Sequence, residues 1–157
     1  MSPVKPIPEG YHSVTPYLCC RDAGAAIDFY KKAFGATEVL RMAAPGGKIG
    51  HAEIQIGGSR VMLSDEFPEM GFLSPQSLGG SPMMLHLYVD DVDSTAKTAE
   101  AAGAKVTRPV ADQFYGDRGG QFEDPFGHKW YVATHVEDLS PEEIKERAAK
   151  AMGGSGS

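Results

Sequence analysis

The sequence predicts an α+β fold made of two βαβββ halves, each a cupped mixed sheet with a helix on one face, closed by a C-terminal helix. Two stretches carry that reading. "VTPYLCCRDAGAAIDFYKKAFGA" from Val14 and "MMLHLYVDDVDSTAKTAEAAGA" from Met83 each read as a strand entering an Asp-capped helix. The helix-to-strand corners Gly35-Ala36 and Gly103-Ala104 then stand 68 residues apart. A third observation is that both corners lead into short segments of alternating polarity, the signature of half-buried strands. With 157 residues the chain suits a single domain over 1–152. Its halves span about 11–66 and 82–136, and a helix follows at about 140–152. The closing "GGSGS" of 153–157 reads as an appended flexible linker.

In order, Val14 to Cys20 suits the first strand. Asp22 caps a helix in which Ala26, Phe29, Tyr30 and Ala33 recur at helical spacing until Gly35 stops it. "TEVLRM", "GHAEIQIGG" and "SRVMLSDE" complete the half. In the second half Asp91 and Gly103 bound the helix, and "AKVTRPV", "RGGQFEDPFG" and "HKWYVATH" supply the strands. Ser140, Pro141 and Glu143 fit the N-cap, N1 and N3 positions of the tail helix. "GGKIG" and "GDRGG" lack the strand-to-helix setting of a phosphate loop and read as hairpin turns, with Arg118 reaching the rim toward an anionic group. The apolar segment 65–82 is expected to cover the cavity mouth or a second subunit.

Composition narrows the function classes. A net charge of −6 without a basic run argues against nucleic-acid and anionic-membrane partners. No apolar run approaches the ~20 residues of a membrane helix. The start "MSPVKPIPEG" has no signal-peptide core, so a cytoplasmic location is expected. Cys19 and Cys20 are adjacent and point to opposite faces of a strand, so two reduced thiols are expected.

The stretches "AAIDFYKKAFGA", "LHLYVDDVD" and "FEDPFGHKW" resemble the vicinal-oxygen-chelate superfamily of glyoxalase, bleomycin-resistance and extradiol-dioxygenase proteins. "DQFYGDRGGQFEDPFGHKW" and "ATHVEDLSPEE" resemble its PhnB-like branch. The resemblance covers about residues 11 to 150 and implies paired cups around a small-molecule site, usually in a homodimer.

Alternation sorts the faces. Met83, Leu85, Leu87 and Val89 are expected under the helices, which puts Met84, His86 and Tyr88 in the cup. By the same logic Val14, Pro16 and Leu18 pack inward, leaving Thr15, Tyr17 and Cys19 on the cup side. His51, Glu53 and Gln55, then Met62 and Ser64, then Tyr131 and Ala133 also face the cup. In metal-dependent members the resemblance places four ligands at Thr15, Met62, Met84 and Tyr131, none a histidine or carboxylate. No metal or other cofactor is therefore expected, and Glu53 with His86 is the remaining pair that could hold a divalent ion. Glu53, His86 and Tyr131 are the candidate catalytic residues, with Glu53 a base whose pKa burial would raise. Thr15, Tyr17, Cys19, His51, Gln55, Met62, Ser64, Met84 and Tyr88 are the candidate substrate contacts. Two functions fit: a lyase or isomerase moving a proton next to a carbonyl, or a metal-free protein that sequesters a small toxic or aromatic compound. The histidines His12, His128 and His135 read as structural.

Overall fold

A computed structural model describes residues 3–154. Of the Gly-Ser segment, Gly153 and Gly154 end the last helix, and residues 155–157 lie outside the described residues. The elements are β1 (Tyr17–Cys20), α1 (Ala23–Phe34), β2 (Thr37–Ala43), β3 (Ile49–Ile56), β4 (Ser59–Asp65) and a short α2 (Pro75–Leu78). The second half holds β5 (Met84–Tyr88), α3 (Val92–Ala102), β6 (Lys105–Asp112), β7 (Asp117–Glu123) and β8 (Lys129–His135), with α4 (Pro141–Gly154) after it. Two four-stranded sheets result, in the orders β1-β4-β3-β2 and β5-β8-β7-β6. In each, the first strand pairs parallel to the last of its half, and the remaining pairs are antiparallel.

The helix ends form where their sequences place them. The Asp22 carboxylate accepts from the Ala25 amide, and Gly35 at φ 68° takes the left-handed conformation that a side chain would disfavour. Asp91 and Gly103 do the same for α3. Each helix lies on its own sheet and the two helices also pack on each other, so both halves share one core. Ala52, Ile54, Ile56, Val61 and Leu63 contribute from the first sheet, and Phe122, Trp130 and Val132 from the second. Leu85 and Leu87 pack at its margin, as expected.

Three expectations change. β1 begins at Tyr17 because Pro16 has no amide hydrogen to donate to the ladder, and Val14 stands 86% exposed before it. Met83 also precedes its strand and is exposed. "GDRGG" is not a turn: the reversal lies at Gln113–Gly116, closed by the Gln113 amide on the Asp117 carbonyl, and Asp117–Gly120 are already β7.

The two halves are tied together by Asp124. Its carboxylate is buried and accepts four hydrogen bonds. Oδ2 takes the Tyr30 hydroxyl of α1 at 2.5 Å and the Trp130 indole N–H at 2.9 Å. Oδ1 takes the amides of Phe126 at 2.9 Å and His128 at 3.0 Å. His128, itself buried, donates from Nε2 to the Cys19 carbonyl at 2.8 Å, a second tie from the β7–β8 corner to β1. Asp124→Ala should lower the unfolding free energy by ~3–5 kcal/mol, because it strands buried donors that have no water to turn to. Tyr30→Phe, which removes one donor of four, should cost only ~1.5–3 kcal/mol. Urea titrations of the two variants check the order.

Candidate functional site

On the open face of the first sheet, pairing register lines up Tyr17, Met62, Glu53 and Leu40 as one row across β1, β4, β3 and β2. His51 stands two residues before Glu53 on the same strand and face. Three polar side chains of this face form a chain. The Glu53 Oε2 accepts from His51 Nε2 at 2.7 Å, and the Tyr17 hydroxyl lies 2.9 Å from His51 Nδ1. Glu53 Oε1 is taken by the Tyr11 hydroxyl, which the N-terminal arm brings over the sheet. These donors, Tyr11 first and His51 second, hold the Glu53 carboxyl below the usual carboxylate range. The expected upward shift by burial is thus outweighed by hydrogen bonding. Burial first, and then the same contact with Glu53, push the Tyr11 hydroxyl up to about 12.

With Glu53 ionised and bound at Nε2, the imidazole carries its proton there and offers the Nδ1 lone pair to Tyr17. Tyr17 is fixed from two sides: its ring centroid is 5.5 Å from that of His51 and 5.8 Å from Phe72, the latter edge-on. Phe72 comes from the segment joining the halves. That segment is folded by Glu66, which accepts from the Ser74 amide and hydroxyl and the Ser77 hydroxyl. The Ser74 amide first, then Ser77, brings the Glu66 pKa down to about 2. The segment is expected over the cavity mouth or a second subunit; Phe72 packs on Tyr17, but no residue of 65–82 lines the cavity between β1 and β5.

On the second sheet the corresponding row is His86, Tyr131, Gln121 and Arg108. His86 lies between two rings, with centroids 4.9 Å from both Tyr88 and Tyr131. The Tyr131 and Tyr115 hydroxyls are 3.0 Å apart. Tyr131 can lie flat because Gly119 is bare: a Cβ there would stand 2.6 Å from the Tyr131 ring. At the strand ends, buried Asp117 takes the Tyr88 hydroxyl at 2.7 Å and His135 Nδ1 at 2.7 Å, while His135 Nε2 reaches Asp138 at 2.8 Å.

Between the exposed edges of β1 and β5 runs a cavity of about 500 Å³, a volume suited to a small organic molecule. Thr15, Tyr17 and Arg60 form one side, and Met84, His86 and Trp130 the other.

The chain from residue 10 to 132 matches the model of the Glyoxalase/Bleomycin resistance protein/Dioxygenase superfamily. The protein belongs to that superfamily. Within it, the chain is 44% identical over 147 residues to the uncharacterized protein Mb0911c of Mycobacterium bovis, covering 92% of this chain and 95% of that one. Its fold is that of TioX from Micromonospora sp. ML1, with TM-score 0.62 and 26% identity over 82% of this chain and all of TioX. The PhnB protein from Bacillus cereus shares the fold with TM-score 0.59 and 17% identity, over 78% of this chain and 99% of that one.

Against the superfamily's metal-dependent pattern, the residues at the four ligand positions do not fit a divalent ion. Thr15, Met62 and Met84 offer a hydroxyl and two thioethers, and the Tyr131 phenol is engaged with Tyr115. Glu53 and His86, the remaining pair, stand on different sheets with separate partners. Among the described residues no group of three or more His, Cys, Asp or Glu could hold a metal ion.

Of the predicted site residues, the superfamily fold brings Tyr17, His51 and Glu53 together on one sheet, and His86, Tyr88 and Tyr131 on the other. Gln55 turns its amide to the Gly57 carbonyl. Cys19 and Ser64 share the open-face register but are buried, as is Ala133, so none forms part of the accessible wall. Burial raises the Cys19 thiol to about 11, which keeps it protonated. Arg118 does not meet the rim: it is held by Asp93 and Asp112. The sequence reading missed Tyr11, Arg60, Tyr115 and Asp117. Strand alternation would have found Arg60, two residues from Met62, but Tyr11 lies in the arm, where no periodicity applies.

His135 gives a pH signature. The Asp117 hydrogen bond first, then that of Asp138, raises its pKa above the ordinary 6.5. The imidazolium therefore contributes stability in full below about pH 6.5, and this is lost as pH rises through the raised folded-state value. The melting temperature should fall more steeply between about pH 6 and pH 8 in the wild type than in His135→Gln. Parallel slopes in thermal scans would show the contact to be inert.

Proposed function

We propose that the protein is a metal-independent lyase or isomerase of the superfamily, moving a proton next to a carbonyl in a small organic substrate held at the β1–β5 seam. The observation that carries this reading is the hydrogen-bond chain Tyr17–His51–Glu53, whose free end lines the cavity. As a carbon acid yields its proton to the Tyr17 oxygen, the tyrosine's own proton passes to His51 Nδ1. The imidazolium so formed is stabilised by the ionised Glu53. Return of the proton, at the neighbouring carbon or at the enolate oxygen, resets the chain. Glu53 is then a positioning residue and not the base, because its oxygens are already occupied by Tyr11 and His51. His86 stands in the wall opposite, backed by the Tyr131 ring, with the imidazole available to donate to a developing oxyanion. We take a homodimer as the working form, since Met83, Met84 and Tyr88 leave apolar surface open on the second sheet.

A second reading, sequestration of a compound without turnover, is favoured by that same wall of thioether and aromatic groups. One experiment separates the two. Carbonyl compounds with an adjacent C–H are incubated with the protein in D₂O, and hydrogen exchange is followed by NMR. Enzyme-dependent exchange should fall by roughly 10²–10⁴-fold in Tyr17→Phe with little change in binding. In Glu53→Gln it should fall less, since the imidazole loses its orientation and not the reacting oxygen. Binding without exchange, weakened by loss of the His86 ring, would establish the sequestering protein instead.

A further inference from the structure

The seam cavity also carries a charge that makes no hydrogen bond to the proton chain, although its field favours the ionised form of Glu53. Arg60 lies in its wall, on the same open face as Glu53 and Met62 by register. Arg21, Arg41, Arg118 and Arg147 are held in ion pairs, whereas Arg60 and Arg108 have neither an ion-pair nor a side-chain hydrogen-bond partner among the described residues, and of these two Arg60 is the one that lines the cavity. Its Nε is buried and unsatisfied. What holds the guanidinium in place is the N-terminal arm. Tyr11 offers its ring face 5.4 Å from Cζ, and Gly10 leaves room that a side chain would fill, since a Cβ there would stand 2.7 Å from Nη2. An arginine that is packed but unpaired is a costly arrangement unless an acceptor arrives.

The rest of the wall fits one kind of arrival. No aspartate or glutamate lines the cavity, and the nearest carboxylate described above, Glu53, is already taken. His12 and His86 add imidazole N–H groups, while Met83, Met84 and Trp130 supply apolar surface. In a chain of net charge −6 the lining thus holds one guanidinium, no carboxylate and an apolar floor. We infer that the cavity selects organic anions: a flat apolar body against Met84 and Trp130, and a carboxylate or other oxyanion bidentate on Arg60. The inference rests on the reading of the seam as the ligand site and names the class of ligand that site takes.

The test uses two fluorescent probes with one skeleton, 8-anilino-1-naphthalenesulfonate and its neutral counterpart N-phenyl-1-naphthylamine, titrated against the full chain. The anion should bind at least about tenfold more tightly than the neutral probe, with an affinity that falls as salt rises. Arg60→Met should abolish that preference and leave the neutral probe's affinity unchanged, which also reports an intact fold. Arg60→Lys should keep part of the preference, and Gly10→Ala, which displaces the guanidinium without removing its charge, should reduce it. Equal binding of both probes to the wild type, or an unaltered preference in Arg60→Met, would overturn the anion selectivity while leaving a ligand cavity in place. Failure of both probes to bind at all would overturn the small-molecule reading itself.

Discussion

A buried carboxylate with four donors is an unusual place to anchor a domain, yet the arrangement of both sheets depends on the one at Asp124. A carboxylate withdrawn from water is tolerated only if its lone pairs are satisfied, and here the donors come from separate parts of the chain: Tyr30 on α1, the tight corner before β8, and the Trp130 indole. Because two donors are backbone amides of the corner itself, the same charge that shapes the turn also fixes where α1 of the other half must lie. Apolar packing of Tyr30 and Phe34 on Trp130 then fills the space around it, with ring centroids 5.4 and 4.8 Å away. Hydrophobic burial supplies the bulk of the driving force, and the polar anchor supplies the geometry.

That geometry matters because the cavity lies between two edge strands that are not hydrogen-bonded to each other. β1 and β5 are held at their separation by what lies behind them, namely the helices and the Asp124 and His128 ties. The open faces in front are consequently free to carry different chemistry. The equivalent rows read Tyr17, Met62, Glu53, Leu40 on one side and His86, Tyr131, Gln121, Arg108 on the other. One half places an acid where the other has a neutral amide. The first sheet therefore carries the hydrogen-bonded chain of Tyr17, His51 and Glu53, and the second offers rings.

Much of this was legible in the sequence, for identifiable reasons. Asp22 with Gly35 and Asp91 with Gly103 marked the helices because capping chemistry is local. Alternation assigned His51, Glu53, His86 and Tyr131 to the open faces because side-chain direction in a strand has period two. Alternation names a face but gives no separation, and for that reason Glu53 and His86 looked like a pair while the real neighbour of Glu53 was His51 on its own strand. The burial of Cys19 and Ser64 was illegible for the same reason: facing a cup says nothing of how deep in it a residue sits. Tyr11 was beyond reach because its role is set by where an irregular arm crosses a sheet.

That crossing makes two charges answer to one piece of backbone. Tyr11 gives its hydroxyl to Glu53 and its ring to Arg60, and Gly10 beside it leaves the space in which the guanidinium rests. The carboxylate and the guanidinium of the cup are thus both held by Tyr11, with Gly10 making room for the second. The place where the arm crosses the sheet and the two charges of the cup are one arrangement, so a change at Tyr11 reaches Glu53 and Arg60 together.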